Sequence, residues 1–280
     1  MDKRRMCPHC RAFITTDDPT CPYCGERVGP RAIELRNAGE MVAGWIPHAR
    51  FVTTLLLIVN GGLFLATSMF PGGATNPSVL YFFGAKEGEA ILQGHQWWRL
   101  ITAGFLHGGF AHILMNGWVM IDLGAQVEMV YGPARLIVFY VLTTIAGYLL
   151  SLWWSPVLSI GASAALFGFI GAMIALGVAN PSSAGRMIRQ MYTRWAIYGL
   201  AYGFLPVILS VVGIHLPIAL DNAAHIGGLA AGFGLGYVAG VPTHSTYARE
   251  KFWQIAAGVC ILATLVSFYM VYLHFPRQTQ

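Results

Sequence analysis

Apolar runs of about 20 residues recur along most of the chain, at 51–70, 111–130, 134–154, 160–179, 195–213, 222–240 and 252–274. A helix rises 1.5 Å per residue, so a run of this length is what a hydrocarbon core about 30 Å thick requires. The pattern therefore predicts an all-α polytopic membrane protein with about seven spans. Residues 71–110 make a connection of about 40 residues, much longer than an ordinary loop. The first 50 residues carry no comparable run. The opening charges Lys3, Arg4 and Arg5 are not followed by a short apolar core, so no cleavable signal peptide is expected and the first span directs insertion.

Composition agrees with the pattern and excludes a water-soluble globule. The chain is 56% hydrophobic and 10% charged, against about a quarter charged in soluble domains. A net charge of +5 could point to nucleic acid, but its distribution points to membrane orientation. With the N-terminus in the cytoplasm, all 17 basic residues except Lys86, Arg99 and Arg277 fall inside. Arg135, Arg186, Arg189, Arg194, Arg249 and Lys251 keep that bias when the distant N-terminal charges are ignored. The positive-inside rule thus predicts a cytoplasmic N-terminus and an external C-terminus.

Four of the five cysteines form two Cys-x-x-Cys knuckles, Cys7/Cys10 and Cys21/Cys24, with ten residues between them. Each knuckle offers two thiolates from one tight turn, and together they complete the tetrahedral four-sulfur site that zinc favours. Iron suits the same geometry. Two disulfides fit poorly in a reducing compartment. A closed four-thiolate site leaves no position for water, so its role is structural. Residues 1–30 hold too few apolar groups for a core, which makes metal-driven folding the expected source of stability. Residues 31–49 read as a linker. Cys260, alone in the last run, reads as a packing residue.

N-in topology places the starts of the second, fourth and sixth runs at the outer leaflet. His112 and Asn116, Ser163, and His225 occupy those starts, each within about 10 Å of the outer end of its helix. His112 and Asn116 are four apart and share a helix face. Taken singly, each has a structural alternative: a small packing serine, an interhelical asparagine, a satisfied core histidine. Together at one depth, polar groups in a bilayer mark a site. Gly228, Gly232 and Gly236 repeat every four residues on the sixth run, and Gly161, Ala164, Gly168, Gly171 and Ala172 keep the fourth small. Such surfaces allow the close helix approach that a Ser–His hydrogen bond needs.

These residues resemble the signatures of rhomboid intramembrane serine proteases: Gly-x-Ser-x at Gly161 and Ser163, Ala-His-x-x-Gly-x-x-x-Gly from Ala224 to Gly232, and His-x-x-x-Asn at His112 and Asn116. Trp98-Arg99 and Glu128 resemble further family positions. The resemblance covers about 50–240. It implies a six-helix rhomboid-like core at 50–240, an added C-terminal transmembrane helix within 241–280, and the zinc ribbon (1–30) as an extension. It also implies a Ser–His dyad, with Ser163 as nucleophile and His225 as base and then acid. His112, Asn116 and the Ser163 backbone N–H would form the oxyanion hole, with no cofactor for catalysis. Arg99 and Glu128 would act as structural clamps. Two positions depart from the family: Ala164 stands where glycine is common, and Phe167 stands where a tyrosine often packs on the histidine.

The resulting expectation is an endopeptidase cleaving single-span membrane proteins near the outer face of the bilayer, in a bacterial plasma membrane. A cytoplasmic protein partner is expected for the ribbon. Without a basic helix beside the knuckles, nucleic acid is not an expected partner. Two other classes remain: a non-catalytic adaptor that binds client transmembrane helices, and a small transporter moving protons through Asp122 and His225. The transporter would show internal hydropathy repeats, and none is visible. Asp122 reads as a packing residue, and His107 as a hydrogen-bonding loop residue.

Overall fold

The computed structural model describes residues 4–7, 9–15, 18–28, 50–211, 213, 220–240 and 246–276. The linker expected at 31–49 lies outside them, as do the charges Lys3, Arg31, Arg36 and Arg277 used in the orientation argument. The chain divides into two compact units, 1–48 and 49–280.

In the first unit, β1 (Arg4–Met6) pairs antiparallel with β2 (Phe13–Thr15), and Thr20 bridges Arg27. The two knuckles share one backbone design. Arg11 N–H donates to Cys7 C=O and Gly25 N–H to Cys21 C=O, both at 2.9 Å, and these closing residues have φ of 60° and 71°. Gly25 takes this left-handed conformation without steric cost. Cys7, Ile14, Cys21 and Val28 form the small buried cluster.

The described elements of the second unit are helices, joined by short non-helical segments. Its elements are α1 (Phe51–Ser68), α2 (Pro77–Phe82), α3 (Gly88–Leu92), α4 (Arg99–Thr102), α5 (Phe110–Val119), α6 (Ala125–Tyr131), α7 (Pro133–Trp154), α8 (Ser163–Ala179), α9 (Ser183–Val211), α10 (Asn222–Ala239) and α11 (Tyr247–His274). Among the described residues, α1, α7, α9 and α11 are long and apolar enough to cross a membrane, and α8 is a shorter apolar helix. The protein is a multi-pass membrane protein whose membrane unit is all-α, preceded by the small ribbon with its β1–β2 pair. Helix α8 lies at its centre, with Ala164, Ala165, Phe169, Ala172 and Ala175 fully buried. Its most extensive contact is with α10. Apolar side chains on the outer helices, such as Ile58, Ile197, Val259 and Leu262, are exposed, as lipid-facing positions are.

Three local features differ from the hydropathy reading. The run at 111–130 is not one α-helix: a π segment, Met120–Gly124, separates α5 from α6. Gly124 there packs closely on Thr53 of α1. Helix α9 begins at Ser183, well before the apolar run at 195. Ser182 Oγ accepts the Gly185 N–H at 3.1 Å, and the arginine-bearing first turns are helical without being apolar, which a hydropathy window does not register. The connection 71–110 is folded into α2–α4 and two 3₁₀ turns rather than left as loop.

Buried polar groups fasten this connection and the first span. Arg99, 3% exposed, donates to the carbonyls of Tyr81 and Ala85, each at 2.8 Å, and to Gln96 Oε1 at 2.6 Å. Its guanidinium also lies 4.2 Å from the Tyr81 ring centroid. Glu128 accepts from the N–H groups of Val52 and Thr53 at 2.9 and 2.8 Å and from Thr53 Oγ1 at 2.7 Å. Its carboxylate thus satisfies free donors at the α1 N-terminus, where the helix dipole favours negative charge. Arg135, counted above as a cytoplasmic charge, is buried and forms a bidentate pair with Glu250 of α11 at 2.9 and 2.7 Å.

Candidate active site and zinc ribbon

Helix α8 starts at Ser163, after a turn in which Ala162 is already near-helical and Gly161 sets the direction of the chain. Gly161 has φ +127°, a conformation that side-chain-bearing residues rarely adopt. Tyr148 of α7 donates to Gly161 C=O at 2.9 Å, and Gly161 N–H donates to Ala103 C=O at 3.0 Å. No side chain caps the N-terminus of α8. Its first N–H groups therefore remain available at the Ser163 end.

Helix α10 delivers His225 one turn into its length. The Asp221 carboxylate caps this helix by accepting the Ala224 N–H at 2.9 Å. Close α8–α10 packing brings the two side chains together. A Cβ on Gly228 would strike the Ala164 carbonyl, and one on Gly232 the Gly168 carbonyl. Ser163 Oγ and His225 Nε2 are 2.9 Å apart. The Phe167 ring stacks on His225 with centroids 4.3 Å apart and planes inclined by 16°. The ring interaction is therefore kept without a tyrosine hydroxyl.

His112 and Asn116 lie beside the same strand of chain. A Cβ on Gly161 would be 2.8 Å from His112 Nε2 and 3.5 Å from Asn116 Nδ2. Gly108 N–H donates to His112 Nδ1 at 3.3 Å. That assignment makes Nδ1 the acceptor, and in a neutral ring it leaves Nε2 carrying the proton. Asn116 Nδ2 and His225 Nδ1 are buried without a protein hydrogen-bond partner. A cavity of about 490 Å³ is lined by Ser163, His225, His112, Gly108, Trp154 and Phe204, among others. It is open on one side and mainly apolar.

Two residues depart from their sequence reading. His107 does lie in the loop before α5, but it is 1% exposed and neither ring nitrogen has a hydrogen-bond partner at good geometry among the described residues. Burial, with His112 5.1 Å away ring to ring, holds its pKa down at about 3 although the Phe105 backbone opposes this. The ring is therefore neutral. Asp122 is not a packed interior group. It is exposed and accepts from Gln126 Nε2 at 3.0 Å. Two polar residues beside the site had no part in the sequence reading of the site: Asp221, and Lys86, which entered only as an external charge. Asp221, one turn before His225 at the start of an apolar run, carried a legible capping signal.

In the ribbon, the four sulfurs of Cys7, Cys10, Cys21 and Cys24 all lie within 4.8 Å of one another. The pairs Cys7–Cys24 and Cys10–Cys21 are 3.8 and 3.6 Å apart. These separations are too long for disulfides. They match the edge of about 3.8 Å of a tetrahedron with 2.3 Å zinc–sulfur bonds, so the donor set fits structural zinc. Elemental analysis is expected to find one zinc per chain, lost on Cys21→Ser substitution while the helical unit keeps its thermal transition. Retention of the metal in that variant would exclude the four-cysteine site.

Comparison with known proteins matches residues 94–242 to the Rhomboid domain and residues 5–28 to a zinc-ribbon domain. The chain is 34% identical over 210 residues to the Rhomboid protease GluP of Bacillus subtilis, covering 75% of this chain and 38% of that protein. RHOMBOID-like protein 6, mitochondrial, of Arabidopsis thaliana is 36% identical over 166 residues, 58% of this chain and 50% of the relative. Inactive RHOMBOID-like protein 8 of the same plant is 31% identical over 170 residues, 59% of this chain and 44% of the relative. The chain thus spans half or less of the length of these relatives. With the domain match extending over more than half of its residues, this zinc-ribbon-bearing membrane protein belongs to the rhomboid family.

Proposed function

We propose that the protein is an intramembrane serine endopeptidase in which Ser163 is the nucleophile and His225 the general base. The observation that carries this is the 2.9 Å approach of Ser163 Oγ to His225 Nε2 between two membrane helices. A serine hydroxyl is a weak nucleophile without such a base. Ser163 Oγ attacks the scissile carbonyl carbon as His225 Nε2 takes its proton. The negative charge that develops on the carbonyl oxygen is held by His112 Nε2–H, Asn116 Nδ2–H and the Ser163 N–H. Donors aimed at a developing oxyanion stabilise the transition state more than the ground state. The intermediate collapses as His225 returns the proton to the leaving amine. Water activated by the same ring then hydrolyses the acyl-enzyme.

Substrates on this reading are single-span membrane proteins, cleaved near the outer face of a bacterial plasma membrane with the N-terminus of this chain in the cytoplasm. Arg186, Arg189 and Arg194 on the first turns of α9, with Arg249 and Lys251 on α11, support that orientation. Reaching Ser163 requires local unwinding of the substrate helix, so small or helix-breaking residues are expected at the cut. The organisation that goes with this reading is a ribbon at 1–30, a linker at 31–49, a catalytic core at 50–240 and an additional helix within 241–280, the ribbon serving a cytoplasmic protein partner. A fluorophosphonate probe tests the nucleophile. Wild type is expected to label and Ser163→Ala to lose the label. Equal labelling of the two would refute the assignment, and no labelling of folded wild type would favour the adaptor reading, which the resemblance to an inactive relative keeps specific.

A further inference from the structure

The polar groups around Asp221 connect the nucleophile and base segments along the wall of the cavity that also holds Ser163 and His225: Ser151, Ser159 and Asp221 all line it. Asp221 Oδ1 caps α10, as described. Its Oδ2 accepts from Ser159 Oγ at 2.6 Å and from Ser151 Oγ of α7. Ser159 lies in the extended segment four residues before Ser163, and Asp221 four residues before His225. The same segment is also held by Lys86. Ser159 and Lys86 exchange both backbone hydrogen bonds, at 3.0 and 2.9 Å. Lys86 Nζ donates to the carbonyls of Ser155 and Val157 at 2.6 and 2.9 Å. Lys86 has no solvent exposure, and Ser151 and Ser159 are buried.

The Lys86 ammonium, with no solvent exposure, is costly to bury unless it is hydrogen-bonded or paired, whereas Asp221 is half-buried at the cavity wall. Burial pulls the Lys86 ammonium down from its ordinary pKa, and the negative charges of Asp221 and Glu87 oppose that. The carboxylate and the ammonium are thus both bound to the segment 155–159, Asp221 through the Ser159 hydroxyl and Lys86 through the Ser155 and Val157 carbonyls. Fixing Ser159 against Asp221 fixes the start of α8 against the start of α10. The Ser163–His225 distance depends on that register. A displacement of about 1 Å at a reacting pair is worth up to about 100-fold in rate.

We propose that Asp221 is a positioning residue for the Ser163–His225 pair, acting through Ser159, with Lys86 as the second anchor of the nucleophile segment. It rests on the dyad reading above, and the two fail separately: equal labelling of Ser163→Ala and wild type would refute the dyad whatever Asp221 does. The test uses the intact chain in detergent micelles and a fluorophosphonate, comparing the maximal labelling rate with the half-saturating probe concentration, each per folded protein. Asp221→Asn is expected to lower the maximal rate about 10- to 100-fold and leave half-saturation unchanged. Ser159→Ala is expected to lower the rate about 10-fold. Because both act through one contact, the double variant should label no more slowly than Asp221→Asn alone.

A purely structural role would lower thermal stability while the folded fraction labelled at the wild-type rate. That result, or losses that multiply in the double variant, would overturn the proposal. If Asp221→Asn gives no folded protein, Ser159→Ala decides: a rate within twofold of wild type overturns the proposal, and a rate loss at unchanged half-saturation sustains it.

Discussion

His225→Ala is expected to lose cleavage of a transmembrane substrate by at least about 10³-fold, in line with removal of the base from other serine hydrolases. The ring has two contacts on the reacting side, Ser163 Oγ at 2.9 Å and the stacked Phe167 ring, and it lines the cavity. Without it the serine hydroxyl loses the one ring nitrogen that it contacts among the described residues, and His112 Nδ1 already accepts from Gly108. The substitution also opens a space beside Phe167, so thermal stability should fall by about 1–3 kcal/mol. Rates must therefore be compared per folded protein, with melting followed in the same detergent. Residual cleavage within tenfold of wild type would assign the base elsewhere.

The second large effect is structural. Gly232→Ala is expected to destabilise the helical unit by about 1–3 kcal/mol, the usual cost of overpacking, and to slow fluorophosphonate labelling of the folded fraction about 100-fold. The added methyl would fall on the Gly168 backbone carbonyl, and backbone cannot rotate away as a side chain can. The two helices would have to separate, and they are the two that carry Ser163 and His225. Gly234, two residues along the same helix, has open space where a Cβ would go. Gly234→Ala should be neutral or stabilising by up to about 1 kcal/mol, the helix-propensity gain of alanine over glycine. Equal melting temperatures for the two variants would show that the glycine contact does not hold the helices together.

The contrast between Asp221 and the cysteines shows where reading the chain stops. The ribbon was legible because its information is local: two turns, each closed within five residues, supply all four sulfurs. The apolar runs were legible because the bilayer imposes length and hydropathy on each segment separately. His112 and Asn116 could be placed on one face by their spacing alone. Asp221, by contrast, takes its meaning from Ser151 and Ser159, 70 and 62 residues away. Glu128 caps a helix that starts 77 residues earlier in the chain. Neither partner set follows from periodicity or composition. His107 and Asp122 were misread for a related reason. Both are polar residues in or beside apolar sequence, and only packing decides which of them is buried.

By itself the sequence determined a multi-pass helical membrane protein with a four-cysteine zinc ribbon, and it presented the serine, the histidines and the asparagine as residues sharing one depth. Hydropathy, metal-ligand spacing and helical period act over a few residues to a few turns, so the linear chain carries them. The glycine pattern allowed α8 and α10 to meet, but tertiary structure alone decided that a π segment interrupts the 111–130 run, that the long connection folds into short helices, and that Asp221 and Lys86 grip the segment before Ser163. Each of these depends on backbone approach or hydrogen bonding between distant segments. Such contacts exist only once the helices have packed.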